Sequence, residues 1–328
     1  MHRSGTSVVA HGLGVLGVEL GDNLHPAGFD NPKGFWEDRD ILGINEELLS
    51  HIGSAYDRLG LIGWDMQHDP VIESLKFKAV QFVHEKCDKN ALWGFKDPRT
   101  ARLLPFWQAV FEYVGCDVGY VIAIRNPISV AESLRLRNGF EPEKSFYLWF
   151  EHITPIILRT RGKTRVVVDY DRLLENSRVE LLRIARVLGL PAPTPSALAA
   201  YENEFLEKGL RHTRFTSQDL SLYPSVPPQV ITAYDLLVKL ALDDISLDNP
   251  RIGQAFEVLS QELLTLSPAL NFIARQEQKL FGQIAERDRV IAERDARING
   301  ILASRSWRFT RPLRFLERLA RTVFRKQR

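Results

Sequence analysis

The chain has 328 residues, of which 45% are apolar and 26% are charged, and its formal net charge is +2. This composition predicts a globular protein with one large core, or one domain plus an appendage. Its two cysteines, Cys87 and Cys116, occur without a CxxC or Cys/His cluster, so neither a disulfide framework nor a zinc site is indicated. No apolar run approaches the roughly 20 residues of a membrane-spanning helix, and no signal-peptide pattern is present.

The net charge is unevenly distributed. Residues 303–328 hold nine Lys and Arg against one acid, whereas the rest of the chain is net acidic. An acidic body gives no support to nucleic acid binding. The low cysteine content is compatible with a reducing cytoplasm.

The first element is a loop of small and hydroxyl-bearing residues, followed by a helical stretch over residues 8–16. Backbone N–H groups and hydroxyls at a helix N-terminus favour an anion, so the loop is a candidate phosphate site. It differs from a Walker A loop, because the cation precedes the glycine and no lysine follows it. The alternative is an ordinary capped helix start. The loop residues are His2, Arg3, Ser4, Gly5, Thr6 and Ser7.

Short β-branched runs alternate with helical patterns through the middle of the chain. Strands are predicted at 92–95, 119–124 and 165–168, and helices at 70–86, 128–137, 145–159 and 178–188. This alternation predicts an α/β fold with a doubly wound parallel sheet flanked by helices.

Charged and polar side chains follow the predicted strands. Lys96, Arg125 and Tyr170 come directly after strands, and Ser133 lies two turns into the helix after Arg125. Open parallel sheets bind ligands at the carboxyl edge, so these side chains are expected to converge there with Arg3. For each residue alone, an ordinary surface position is the simpler interpretation.

The C-terminal part differs from the rest. Helical character is predicted over 230–264, and residues 272–302 carry a seven-residue repeat with Ile284, Ile291 and Ile298 at one position. The second core position of each heptad is occupied by a charged residue, Arg287 or Arg294, so the coiled-coil pattern is weak. We therefore predict a domain at 1–265, a coiled-coil candidate able to self-associate at 272–302, and a basic amphipathic tail at 303–328.

These motifs resemble the P-loop sulfotransferases, and in particular bacterial members with an HRSGTS loop, over roughly residues 1–215. The resemblance implies transfer of a sulfuryl group from 3′-phosphoadenosine 5′-phosphosulfate (PAPS) to a hydroxyl, with no metal. It places the loop Arg3, Ser4, Gly5, Thr6 and Ser7 on the 5′-phosphosulfate. It also places Arg125 and Ser133 on the 3′-phosphate, Tyr170 near the adenine and, by a looser match, Arg211 over the 3′-phosphate.

The resemblance also implies a general base near the acceptor, just after the first loop. Glu37 is the first candidate, with Asp38 and Asp40 as rivals; a solvated acidic turn is the alternative. His2, His11 and His25 are nearby and are expected to be structural. Arg3 and Lys96 would neutralise charge on the leaving oxygen.

One departure from the family concerns the first strand. The family's loop follows a central strand, whereas this sequence starts at the loop, so a truncated or misassigned start is expected. Two other functions stay open: a P-loop nucleotide or small-molecule kinase, which shares the fold, and a non-catalytic interaction module. A donor with phosphates at both 3′ and 5′ positions would use both cationic sites, whereas ATP would use one.

The tail, residues 303–328, alternates arginines with aromatic and aliphatic residues. Such a segment favours an anionic membrane surface, although a solvated end is the simpler alternative. It resembles the closing segment of bacterial surface-polysaccharide glycosyltransferases, which implies a carbohydrate or glycolipid acceptor at the inner face of the cytoplasmic membrane.

Overall fold

A computed structural model of the chain describes residues 1–28, 31, 33–64, 69–206 and 215–316. Contacts divide the chain into two compact units, Met1–Asn271 and Phe272–Arg328. Within the described ranges, no helix is long and apolar enough to cross a membrane.

The first unit is mostly helical and contains a small parallel sheet. In chain order its elements are α1 (Thr6–Val15), α2 (Arg39–His51), α3 (Pro70–Lys89), a 3₁₀ turn (Pro98–Ala101), α4 (Leu104–Val114), β1 (Tyr120–Ile124), α5 (Pro127–Asn138), α6 (Pro142–Arg159), β2 (Arg165–Asp169), α7 (Tyr170–Glu175), α8 (Ser177–Leu188), α9 (Pro195–Ala200), a π-helical turn (Tyr201–Phe205), α10 (Ser217–Leu222), α11 (Pro228–Ala241) and α12, which spans Pro250–Ala303 and continues into the second unit.

Strands β1 and β2 pair in parallel, with Ile124 opposite Asp169 at the carboxyl edge. Side chains alternate across a strand, and both faces of this pair are buried. Val167 packs in a cluster with Trp149 of α6, whereas Val166 and Val168 pack on the other face in the cluster that includes Val9 of α1. Helices therefore cover both faces of the two-stranded sheet.

The strand predicted at 92–95 is not formed. In the part of the chain that the structure describes, an isolated β-bridge occupies its place. Trp93 pairs with Glu19 in parallel, through Glu19 N–H to the Leu92 carbonyl (3.1 Å) and Gly94 N–H to the Glu19 carbonyl (3.0 Å). Pairing ends there, since Asp97 already caps the 3₁₀ turn that follows. A wider doubly wound sheet is therefore not seen among these residues.

The predicted helix over 230–264 is interrupted. Helix α11 ends at Ala241, and α12 begins at Pro250. Asp243 has a left-handed backbone (φ 59°), and its carboxylate accepts from Arg183 Nη1 at 3.0 Å. The left-handed backbone of Asp243 is incompatible with continuation of α11. The next helix, α12, begins at Pro250, because proline is compatible with the first turn of a helix.

The second unit holds the rest of α12 and the helix α13 (Arg305–Phe309), and residues 311–316 are also helical. The predicted repeat at 272–302 is helical, and Ile284, Ile291 and Ile298 are exposed on it. Self-association through this stripe stays a prediction.

A buried carboxylate makes the stability of the first unit dependent on pH. Glu151 of α6 accepts from the Gly60 N–H at 2.8 Å and lies 4.0 Å from Arg102 Nη2. Burial, partly offset by Arg102, raises the pKa of Glu151 from 4.5 to about 7. The folded state thus binds a proton that the unfolded state has lost between these pH values, so this group's contribution to stability falls as pH rises from 4.5 through 7.

We predict that Glu151→Gln stabilises the protein at pH 8 and has little effect at pH 4.5. The gain, at most about 3 kcal/mol, is the cost of ionising a buried carboxylate that glutamine does not pay. Urea unfolding of wild type and variant at both pH values measures it. Glu112→Gln, an exposed site on α4, is the matched control. A stability difference that is the same at both pH values would contradict the assignment.

Candidate functional site

The N-terminal loop has a left-handed backbone at two positions. Arg3 has φ 65°, which is uncommon for a residue other than glycine, and Gly5 has φ 77° and caps α1. A Cβ at Gly5 would lie 2.1 Å from Tyr170 Cδ2, so only glycine fits over this ring. Residues in sparsely populated conformations are frequent at ligand sites.

Two arginines and a serine from distant parts of the chain meet beside this loop. Arg3 Nε donates to Ser133 Oγ at 2.7 Å, and Arg125 Nη1 donates to the Arg3 carbonyl at 3.3 Å. The Arg125 guanidinium lies over the Tyr170 ring, 4.6 Å from its centroid. We call Arg3, Gly5, Arg125, Ser133 and Tyr170 the loop cluster.

The sheet explains why the loop cluster forms. Arg125 directly follows β1, and Tyr170 directly follows β2; the last residues of these strands, Ile124 and Asp169, are paired. Ser133 lies on α5, which starts two residues after Arg125 and is capped by the Asn126 side chain. Arg125 is buried, and a charged group attracts an opposite charge more strongly in such surroundings than in water.

A second group of charges surrounds Glu37. Lys96 Nζ donates to Glu37 Oε1 at 2.6 Å and to the Phe35 carbonyl at 2.9 Å. Arg99 Nη1 lies 3.7 Å from Glu37 Oε2. We call Glu37, Lys96 and Arg99 the carboxylate cluster. Burial lowers the pKa of Lys96, while its ion pair with Glu37 opposes the shift.

Ser7 connects the two clusters. Its Oγ donates to the Phe35 carbonyl at 3.2 Å, the same oxygen that Lys96 Nζ binds. Asn31 Nδ2 in turn donates to Ser7 Oγ at 3.2 Å. Ser7 is on the first turn of α1, so the loop and the segment leading to Glu37 are adjacent.

The rivals of Glu37 have other roles in the fold. Asp38 caps α2, since its Oδ1 accepts from the Asp40 N–H at 2.9 Å, and burial raises the pKa of Asp38. Asp40 is exposed and accepts from Asn23 Nδ2 at 3.1 Å. Of the three acids, Glu37 is the one that contacts Lys96.

The other predicted residues lie as follows. Ser4 is buried in the loop, and Thr6 is the first residue of α1. Arg211 lies outside the described residues. His11 stacks on Phe205, with ring centroids 3.7 Å apart, and so has a packing role.

The histidine at the start of the loop packs against a ring of a later loop. His2 and Tyr56 have ring centroids 4.7 Å apart. Burial, with the charges of Arg99 and Lys96, holds the pKa of His2 well below its usual value. His2 is therefore neutral at pH 7.

Sequence reasoning missed Arg99 as a site residue. It follows Lys96 by three positions in the segment GFKDPR. Because a 3₁₀ turn starts in this segment, residues three positions apart lie on the same side of the chain. Asp97 fixes this turn, because its Oδ1 accepts from the Arg99 N–H at 2.8 Å and from Arg99 Nη1 at 3.0 Å. Asn45 Nδ2 donates to the other Asp97 oxygen at 3.0 Å.

No protein-family model, curated protein or solved structure matches this chain. Among the described residues, no group of three or more His, Cys, Asp or Glu side chains is arranged to hold a metal ion.

Proposed function

We propose that the protein is a PAPS-dependent sulfotransferase. The observation that carries this proposal is the loop cluster, in which Arg3, Arg125 and Ser133 meet beside a left-handed glycine loop at a helix N-terminus. Guanidinium groups and exposed N–H groups are the donors that bind phosphate and sulfate oxygens. The proposal includes the P-loop-type doubly wound sheet that the sequence predicts.

A donor with anionic groups at both its 3′ and 5′ positions is favoured over ATP, which carries no 3′-phosphate. The loop cluster supplies two arginines for phosphate, and Lys96 lies in the adjoining carboxylate cluster. A nucleotide with both a 3′-phosphate and a 5′-phosphosulfate uses all of them. The family resemblance assigns the loop and Arg3 to the 5′ group and Arg125 with Ser133 to the 3′-phosphate.

The chemistry proposed for the carboxylate cluster is base and charge catalysis. The acceptor hydroxyl oxygen attacks sulfur, the bond from sulfur to the bridging phosphate oxygen breaks, and Glu37 takes the hydroxyl proton. Lys96 and Arg3 offset the negative charge that builds on the leaving oxygen. The protein thus aligns the two substrates and neutralises charge, as in phosphoryl transfer.

Donor binding tests the proposal directly. We expect adenosine 3′,5′-bisphosphate to bind the full chain at least about ten times more tightly than AMP or ATP, because each added forked contact contributes roughly 1.5–3 kcal/mol. Isothermal titration calorimetry with the three nucleotides measures this. Tighter ATP binding would favour the kinase, and no nucleotide binding would favour the interaction module.

A carbohydrate acceptor near an anionic membrane surface is part of the proposal. In the described part of the tail, Phe309, Leu313 and Phe315 are exposed, and Arg314 lies over the Trp307 ring at 3.7 Å. Exposed aromatic side chains beside arginines are suited to the headgroup layer of an anionic membrane.

The full chain should co-sediment with phosphatidylserine vesicles at low salt, and a chain lacking residues 303–328 should not. Equal partitioning of the two forms would reject the membrane role.

A further inference from the structure

The two cysteines face each other across neighbouring helices. Cys87 lies near the end of α3 and is exposed, and Cys116 directly follows Gly115, the residue that ends α4. Their Sγ atoms are 3.5 Å apart, and neither cysteine is in a disulfide.

Helix packing fixes this approach. Ala79 and Val83 are fully buried on α3, and Cys87 is one turn beyond Val83 on the same face. On the other side, the Cys116 N–H donates to the Phe111 carbonyl at 3.0 Å, after the left-handed Gly115 (φ 77°). The backbone positions of both thiols therefore follow from the α3–α4 contact and the end of α4.

We propose that Cys87 and Cys116 form a dithiol site that a low-molecular-weight disulfide, such as oxidised glutathione, converts to an intramolecular disulfide. A disulfide bond is about 2.05 Å long, so the sulfur atoms have to approach by about 1.5 Å. This inference is independent of the sulfotransferase proposal.

The reaction is two successive thiol–disulfide exchanges. The Cys87 thiolate attacks one sulfur of oxidised glutathione, whose S–S bond breaks and releases one glutathione thiolate. The Cys116 thiolate then attacks the Cys87 sulfur of the mixed disulfide and releases the second. Both thiol protons go to solvent; the two cysteines lose two electrons, and glutathione gains them. Cys87 is exposed, whereas Cys116 is half-buried and burial raises its pKa, so oxidised glutathione reaches Cys87 first.

The disulfide would close the segment 87–116, which carries Lys96 and Arg99 of the carboxylate cluster. Closing a loop restricts the unfolded chain and so stabilises the folded state. Oxidation would therefore make unfolding of the segment that holds Lys96 and Arg99 less favourable.

Mass spectrometry of the full chain tests this site. The reduced protein is incubated with oxidised glutathione, quenched by alkylation and analysed intact and as peptides. We expect a loss of about 2 Da, no alkylation of either cysteine and a peptide linking Cys87 to Cys116. The melting temperature should rise by roughly 5–10 °C on oxidation.

Cys87→Ser and Cys116→Ser are the matched controls. Each should show neither the loss of about 2 Da nor the rise in melting temperature, because exchange then stops at a mixed disulfide. Three results with the wild type would overturn the proposal: a lasting glutathione adduct on Cys87, a disulfide-linked dimer, or two thiols that stay reduced.

Discussion

We expect Glu37→Gln to lower acceptor turnover by roughly two to four orders of magnitude, the range typical of a positioned general base, while nucleotide affinity stays close to that of the wild type. The reason is its position. The Glu37 side chain is 6% exposed, and its carboxylate contacts Lys96 and Arg99 next to the loop that is proposed to hold the donor. Glutamine keeps the shape but cannot take the proton.

The matched control for this experiment is Glu46→Gln. Glu46 also contacts Arg99, at 3.2 Å, but it is 60% exposed and has no contact with Lys96 in the described structure. Turnover by Glu46→Gln should be near normal. Removing the charge of Glu37 leaves Lys96 buried without its carboxylate, which costs stability, so melting temperatures are measured alongside the kinetics. Equal losses in both variants, or normal turnover by Glu37→Gln, would reject Glu37 as the base.

We expect Arg125→Ala to weaken binding of adenosine 3′,5′-bisphosphate by roughly one to two orders of magnitude, which corresponds to loss of a charged, forked contact in the proposed donor site. Arg125 is buried, donates to the Arg3 carbonyl and lies over the Tyr170 ring. These contacts hold its guanidinium in one position, which a mobile arginine on the surface would not occupy. Arg125→Lys keeps the charge without the fork and should give an intermediate affinity.

Arg135→Ala is the control for this change. Arg135 lies on α5 and forms an exposed ion pair with Glu132, with its side chain 52% exposed. Its loss should leave affinity unchanged, because exposed ion pairs contribute little. Calorimetric titration of the three variants measures the series. A dissociation constant for Arg125→Ala equal to that of the wild type would remove this residue from the donor site.

The prediction of helices from sequence relied on local signals. Helix α3 begins at Pro70, as predicted, because Asp69 accepts from the Val71 N–H at 2.9 Å and proline is compatible with a first turn. Strands were predicted less completely. β1 and β2 were found, whereas residues 92–95 pair only through Trp93, because a strand also depends on a distant segment that runs beside it.

Part of the site could also be predicted from sequence. Arg125 and Tyr170 each follow a strand, and the carboxyl ends of parallel strands meet at one edge, so their proximity followed from the fold class. The choice between Glu37, Asp38 and Asp40 could not be made from sequence. The three acids have different contacts because α2 starts at Arg39. Asp38 caps this helix, Asp40 lies in its first turn, and Glu37 precedes it.

The amino-acid sequence by itself determined the helices α3, α5, α6 and α8 and the strands β1 and β2, since caps, prolines and apolar periodicity act within a few positions. Only the tertiary structure decided which distant groups meet. Arg3 bonds to Ser133 across 130 positions, and Cys87 contacts Cys116 although the spacing of the two cysteines matches no motif. Such contacts depend on how the helices and strands pack against one another. Packing is the combined effect of many weak contacts between distant parts of the chain, so it cannot be predicted from a short segment.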